Sequence, residues 1–139
     1  GKLYIAVPNI IFGAYKHSLD SRGPEMERRN NESIDKVREI YRRYPEHGLL
    51  LEGHALNIYR GVDEKKEAAE EEILVPLTRR RAQTVRDALV ERGMDTQKIE
   101  IEYFGGTQPI APVRDLEERW KNRRVEFIMK MNEEEREEE

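Results

Sequence analysis

The sequence predicts a two-layer α/β domain: two main helices packed on one face of a β-sheet, in the order strand, helix, strand, helix, strand, loop, strand. Three observations carry this. Short runs of β-type residues recur along the chain, as in Leu49-Leu50-Leu51 and Ile99-Glu100-Ile101-Glu102-Tyr103-Phe104. Segments with helical spacing separate them, and Gly or Pro punctuates nearly every junction. The length of 139 residues suits one such core rather than two.

Each element follows from its own residues. Leu3-Tyr4-Ile5-Ala6-Val7 and Ile10-Ile11-Phe12 read as short strands broken by Pro8-Asn9, and Pro8 places them at an edge, a strand start or a bend. A loop through Ser21-Arg22-Gly23-Pro24 follows. From Asn31 the period becomes helical, with Ile34, Val37, Tyr41 and Tyr44 on one stripe and Pro45 closing it. The apolar run Leu49-Leu50-Leu51, ending at Gly53-His54, predicts a buried central strand. Residues 57–73 are polar and Glu-rich, which predicts a short exposed helical insertion. A second main helix is expected next, capped by Thr78, with Ala82, Val85 and Leu89 inward and Gly93 as a left-handed stop. Residues 99–104 alternate strictly, as a half-buried strand does. Gly105-Gly106 breaks them, 110–120 is a long loop, and Arg124 to Met129 forms the last strand. The domain is expected to span 1–131, with 132–139 a disordered acidic tail.

Charge is unevenly placed. Glu133 to Glu139 holds six Glu and one Arg, a net of −5, so of the total −4 the residues 1–132 carry +1. Val62 to Glu72 adds six acids and two lysines, a net of −4, which leaves +5 on the rest. A body of that sign suits an anionic ligand. It does not suit nucleic acid, because no dense Lys/Arg stripe is interleaved with aromatics.

No apolar run approaches 18 residues, so any contact with a membrane is expected only through regions outside this fragment. The opening Gly1-Lys2, without an initiator Met or an h-region, predicts an excised piece of a longer protein. The absence of cysteine excludes disulfides and Cys-based zinc sites but is neutral about compartment.

Catalytic patterns are missing. There is no Gly-x-Ser-x-Gly elbow, phosphate loop or dinucleotide fingerprint, so the sequence predicts a non-enzyme without cofactors. His17, His47 and His54 have no ligand spacing among them, so no metal is expected and His54 reads as a strand-end histidine with a satisfied hydrogen bond. Trp120 reads as a lid over the sheet edge.

Four motifs, in order, carry a resemblance: Leu51-Glu52-Gly53-His54; Leu77-Thr78-Arg79-Arg80-Arg81-Ala82-Gln83-Thr84-Val85; Tyr103-Phe104-Gly105 with Pro109-Ile110-Ala111; and Asn122-Arg123-Arg124-Val125-Glu126. With them the chain resembles the OmpA-like C-terminal domain, the peptidoglycan-associating module of diderm bacterial envelopes, from roughly Pro8 to Met131. The resemblance implies a mixed sheet in a βαβαββ order. It also implies a periplasmic place in the cell envelope, associated with the outer membrane, and a groove for the diaminopimelate of the stem peptide. Arg81 and Arg123 are then the carboxylate ligands, Thr78 and Asn57 polar neighbours, and Asn122 a turn former with ligand backbone as a second contact. Arg124 alternates to the other face.

The chain departs from the pattern at Leu56, where the family places the Asp that meets the ligand's ammonium. A lost charge-assisted hydrogen bond is worth about 1.5–3 kcal/mol, roughly 10- to 100-fold in affinity. Asn57 and Asp63 are the candidates to compensate, and a Glu of the insertion, some ten residues longer than usual, is a candidate to fill the groove. Two functions follow: weak or atypical association with peptidoglycan, or a fold that has lost it and serves as a structural or protein-interaction module.

Overall fold

The computed structural model describes residues 2–131; the acidic tail predicted at 132–139 lies outside the described residues. The chain runs through β1 (Leu3–Tyr4), β2 (Ile10–Ile11), α1 (Pro24–Arg43), β3 (Gly48–Gly53), α2 (Glu64–Glu91), β4 (Ile99–Tyr103) and β5 (Arg124–Lys130). Short 3-10 turns at Thr96–Lys98 and Arg119–Asn122 precede the last two strands. The sheet order is β1-β5-β3-β4, with β2 also paired to β5. β3 runs parallel to β4 and antiparallel to β5, which makes the sheet mixed. The predicted two-layer α/β architecture is the observed one.

Strand β3 is central, as its apolar run requires. Leu49 and Leu51 face the helices together with Val125 and Phe127 of β5, and all four are buried. Helix α1 contributes Ile34, Val37 and Tyr41 to that core, and α2 contributes Ala82, Val85 and Leu89. Pro8 interrupts the N-terminal segment so that β1 and β2 pair separately with the two ends of β5.

Helix α1 begins at Pro24, a turn and more before the periodic stripe at Asn31. Proline at a helix start has no N–H to leave unsatisfied, and Glu25 and Glu27 in the first turn complement the helix dipole. Asn30, in this polar opening, is buried. Its amide pairs with both backbone groups of Ile11 (3.0 Å each) and donates to the Leu19 carbonyl (3.0 Å), tying the 12–19 loop to the helix.

The expected short acidic helix and separate second helix are instead one helix of 28 residues, and Thr78 is not its cap. Asp63 caps it, accepting from the N–H groups of Lys65 and Lys66. One side of the Glu-rich half is docked while the other stays exposed. The Glu71 carboxylate accepts from the Gly106 N–H (3.0 Å) and the Asn57 amide (2.9 Å), Glu70 accepts from the Tyr15 hydroxyl, and Leu74 is buried. Thr78 lies mid-helix, where its hydroxyl donates to Val75 O (2.9 Å) and accepts from Gly105 N (3.1 Å).

Helix α2 crosses the end of β3 at close range. A Cβ on Gly53 would lie 2.0 Å from the Thr78 carbonyl oxygen, so glycine alone fits there. At the far end Gly93, with φ +90°, closes the helix as predicted.

Candidate functional site

Where α2, the 13–15 segment, the 55–58 loop and the 119–123 turn meet, a cleft of about 140 Å³ opens at the helix side of the sheet end. Its walls are Ala14, Tyr15, Ala55, Leu56, Ile58, Leu74 and Leu77, and its cationic lining is Arg81, Arg119 and Arg123. Leu74, Leu77 and Arg81 follow each other at three and four residues, so helical geometry puts them on one face of α2. No carboxylate is among the lining residues.

Both predicted arginines reach this cleft, but in different states. Arg81 is fully buried. Its Nε donates to Lys16 O (2.9 Å), Nη1 to His54 O (2.9 Å) and Nη2 to Gly13 O (3.1 Å), and its guanidinium lies 5.3 Å from the Phe12 ring centre. Burial, and secondarily the nearby charge of Arg123, push its pKa down to about 9. It remains a cation at neutral pH, with its donors directed at backbone. Arg81 joins α2 to β3 and to the loop after β2.

Arg123 is the freer of the two. Among the described residues its side chain makes one hydrogen bond, from Nε to Phe12 O (3.3 Å). Its pKa is also lowered, by burial first and then by the like charges of Arg22 and Arg119. Arg119 makes no side-chain hydrogen bond or ion pair among the described residues and lines the same cleft. Arg22 stacks on Trp120, 4.7 Å from the ring centre. Arg119 and Arg123 thus line the cleft with no acid in its lining, and the charge of Arg22 adds to the repulsion at Arg123 that an anion placed there would relieve.

Tyr15 stands at the rim in a left-handed conformation (φ 56°), which is uncommon outside glycine. Its hydroxyl donates to the Glu70 carboxylate; that bond, then burial, raise its pKa to about 12. Glu70 and Glu71 thus take other partners, and among the described residues no Glu bridges Arg81 and Arg123. Leu56 lines the cleft as an apolar wall.

The remaining predicted site residues lie elsewhere. Asn57 is buried, donating to Glu67 O (3.1 Å) and to the Glu71 carboxylate while accepting from Tyr59 N (3.0 Å). Thr78 faces the strand end as described above. Asn122 clamps the 110–111 segment, accepting from Ile110 N (2.8 Å) and Ala111 N (3.0 Å) and donating to Ala111 O (2.9 Å). None of the three lines the cleft. Arg124 does turn to the other face, where it is buried against Glu126 (2.8 Å) and the Gln108 carbonyl (3.0 Å). The expected hydrogen bond of His54 is absent: neither ring nitrogen has a partner, and the ring stacks on Phe104. Arg119 escaped the sequence reading. Its signal is the four-residue spacing to Arg123, at the start of the 3-10 turn Arg119–Asn122.

Fold and cleft together define a small two-layer α/β module with a cationic, apolar-walled groove beside its sheet end. A family model, OmpA, matches residues 21–123, and the chain belongs to the OmpA family. It is 29% identical over 99 residues to the peptidoglycan-associated lipoprotein of Brucella melitensis, covering 70% of this chain and 52% of that protein. The corresponding lipoprotein of Rhizobium meliloti is 28% identical over 97 residues, covering 70% and 49%. The chain therefore spans about half the length of the curated relatives it matches.

Among solved structures, the peptidoglycan-associated lipoprotein of Burkholderia pseudomallei superposes with a TM-score of 0.70 at 20% identity, covering 90% of this chain and 92% of that one. The C-terminal domain of Helicobacter pylori MotB gives 0.67 at 21% identity, covering 96% and 92%. At these identities the structural likeness establishes the fold.

Proposed function

We propose that the domain is a periplasmic cell-envelope module that associates with the peptidoglycan stem peptide. It would hold a diaminopimelate carboxylate between Arg119 and Arg123. The observation that carries this reading is the pair of under-partnered guanidinium groups in a cleft without a lining acid. A carboxylate is the planar, bidentate anion that such groups recognise. The names of the relatives support the ligand class, and the periplasmic setting of the MotB domains supports the compartment. Association with the outer membrane would then come from parts of the protein beyond this chain.

Roles divide within the cleft. Arg119 and Arg123 grip the carboxylate, Arg81 supports the floor on which they stand, and Leu56, Ile58 and Leu74 cover the ligand's methylene chain. The ammonium finds no acceptor at Leu56, so binding is weak. Loss of that acceptor also favours a second reading, in which the groove receives a protein segment ending in a carboxylate.

Titration with a diaminopimelate-containing stem peptide separates these. Saturable binding in the millimolar range or tighter is expected. Arg123→Ala should weaken it at least about tenfold without lowering thermal stability, and Leu56→Asp should tighten it about 10- to 100-fold. If neither the parent nor Leu56→Asp binds, the peptidoglycan reading falls and the protein-interaction reading stands.

A further inference from the structure

On the opposite face of the sheet from the helices, three ligating side chains converge away from the cleft. Glu52 of β3 and Glu126 of β5 are cross-strand partners, and His54 lies two residues beyond Glu52. The strand period of two therefore sets all three on one face. Glu52 and His54 are each 1% exposed and Glu126 8%.

The polar groups here are only half satisfied. Lys2 pairs with Oε2 of Glu52, and Arg124 with Oε1 of Glu126 (2.8 Å). The other oxygen of each carboxylate, Glu52 Oε1 and Glu126 Oε2, stands 3.8 Å from His54 Nε2. That is beyond hydrogen-bond reach, and neither nitrogen of the buried ring has any hydrogen-bond partner. Buried polar atoms are rarely left so. One atom from each of the three side chains thus faces the others across a gap that no hydrogen bond spans.

The spacing matches a cation. One ligand atom from each residue lies within 4.8 Å of the others. A triangle with two sides of 3.8 Å and a third no longer than 4.8 Å has a centre about 2.1–2.5 Å from each corner. Divalent ions hold nitrogen and oxygen ligands at roughly 2.0–2.6 Å.

We propose that Glu52, His54 and Glu126 form a divalent metal site of the zinc type that staples β3 to β5 on the outer face. One imidazole with two carboxylates is a borderline donor set, which suits Zn²⁺ better than Mg²⁺, an ion that keeps most of its waters. The buried imidazole, with neither nitrogen hydrogen-bonded, has a ring nitrogen available to ligate. Lys2 is the competitor. Its side chain is 43% exposed and leans over Phe104, so it can leave Glu52 for solvent when the ion enters. Arg124 stays, tied to the Gln108 carbonyl.

The test is calorimetric titration of the chelator-stripped chain with Zn²⁺ alone, with Co²⁺ absorption as a report on coordination. One site per chain and a rise in melting temperature of about 5 °C or more at saturation are expected. His54→Gln and Glu126→Gln should each weaken binding at least tenfold, and Lys2→Ala, at an exposed partner, should strengthen it. Should a ligand variant fail to fold, Lys2→Ala and the nitrogen chemical shifts of His54 in the parent decide the matter. Three outcomes overturn the site: no saturable binding up to millimolar Zn²⁺, binding unchanged in the folded variants, or a His54 ring whose shifts do not respond to Zn²⁺.

Discussion

Replacing Arg81 with alanine should damage the fold before it damages any binding. The side chain is wholly buried and its guanidinium donates to three carbonyls, those of Lys16, His54 and Gly13, at 2.9–3.1 Å. A hydrogen bond from a charged donor contributes about 1.5–3 kcal/mol. Three at the lower end sum to about 4.5 kcal/mol, and water entering from the adjoining cleft recovers part of it, leaving a loss of about 4 kcal/mol. With an unfolding entropy of about 2.1 cal/mol/K per residue over 139 residues, that lowers the melting temperature by about 14 °C. Lysine cannot reach three separate acceptors with one ammonium, so Arg81→Lys should still lose about 3 kcal/mol. Urea titration followed by circular dichroism reads both. A variant within about 1 kcal/mol of the parent that no longer binds stem peptide would refute the supporting role and make Arg81 a ligand contact.

Two further outcomes follow from the same geometry. Gly53→Ala forces a methyl group into the Thr78 carbonyl oxygen, which lies 2.0 Å from the ideal Cβ position, and should cost about 3 kcal/mol by thermal denaturation. Tyr15 has a folded pKa raised from 10 to about 12, chiefly by its bond to Glu70. An acid raised on folding contributes stability that is present below pH 10 and declines as pH climbs towards 12, so the parent should lose stability more steeply across that window than Tyr15→Phe. Parallel slopes would show that the hydroxyl does not hold its proton through Glu70.

Much of the fold was legible because period and punctuation are local. The stripe Ile34, Val37, Tyr41, the run Leu49-Leu50-Leu51 and the stop at Gly93 each report their own backbone. The acidic stretch misled for a physical reason. A row of glutamates reads as solvated until Gly106, Asn57 and Tyr15 arrive from other parts of the chain to bind the carboxylates. Thr78 likewise has a capping side chain, but Asp63 stands fifteen residues earlier with two amides in reach and the helix begins there.

At the cleft, residue types were readable and their roles were not. Arg81 and Arg123 come to one cavity, and Leu56 lines it. Which arginine remains available depends on the carbonyls that surround it, and those belong to residues 13, 16 and 54 for Arg81 and to Phe12 for Arg123. His54 shows the same division from the other side. Its spacing to the other histidines gave no reason to expect a metal, whereas its neighbours in space are two glutamates, one of them seventy-two positions away.

By itself, then, the sequence determined the two-layer class, the order of elements, the family and the pair of basic motifs that meet at the cleft. Those are written in short-range pattern, which backbone sterics and side-chain period translate directly. Only the tertiary structure decided that α2 is one helix, that Arg81 is a strut while Arg119 and Arg123 are under-partnered, and that Glu52, His54 and Glu126 converge. Such outcomes turn on which donor meets which acceptor across the sheet. That pairing is set when the core closes and distant segments compete for the same few polar groups.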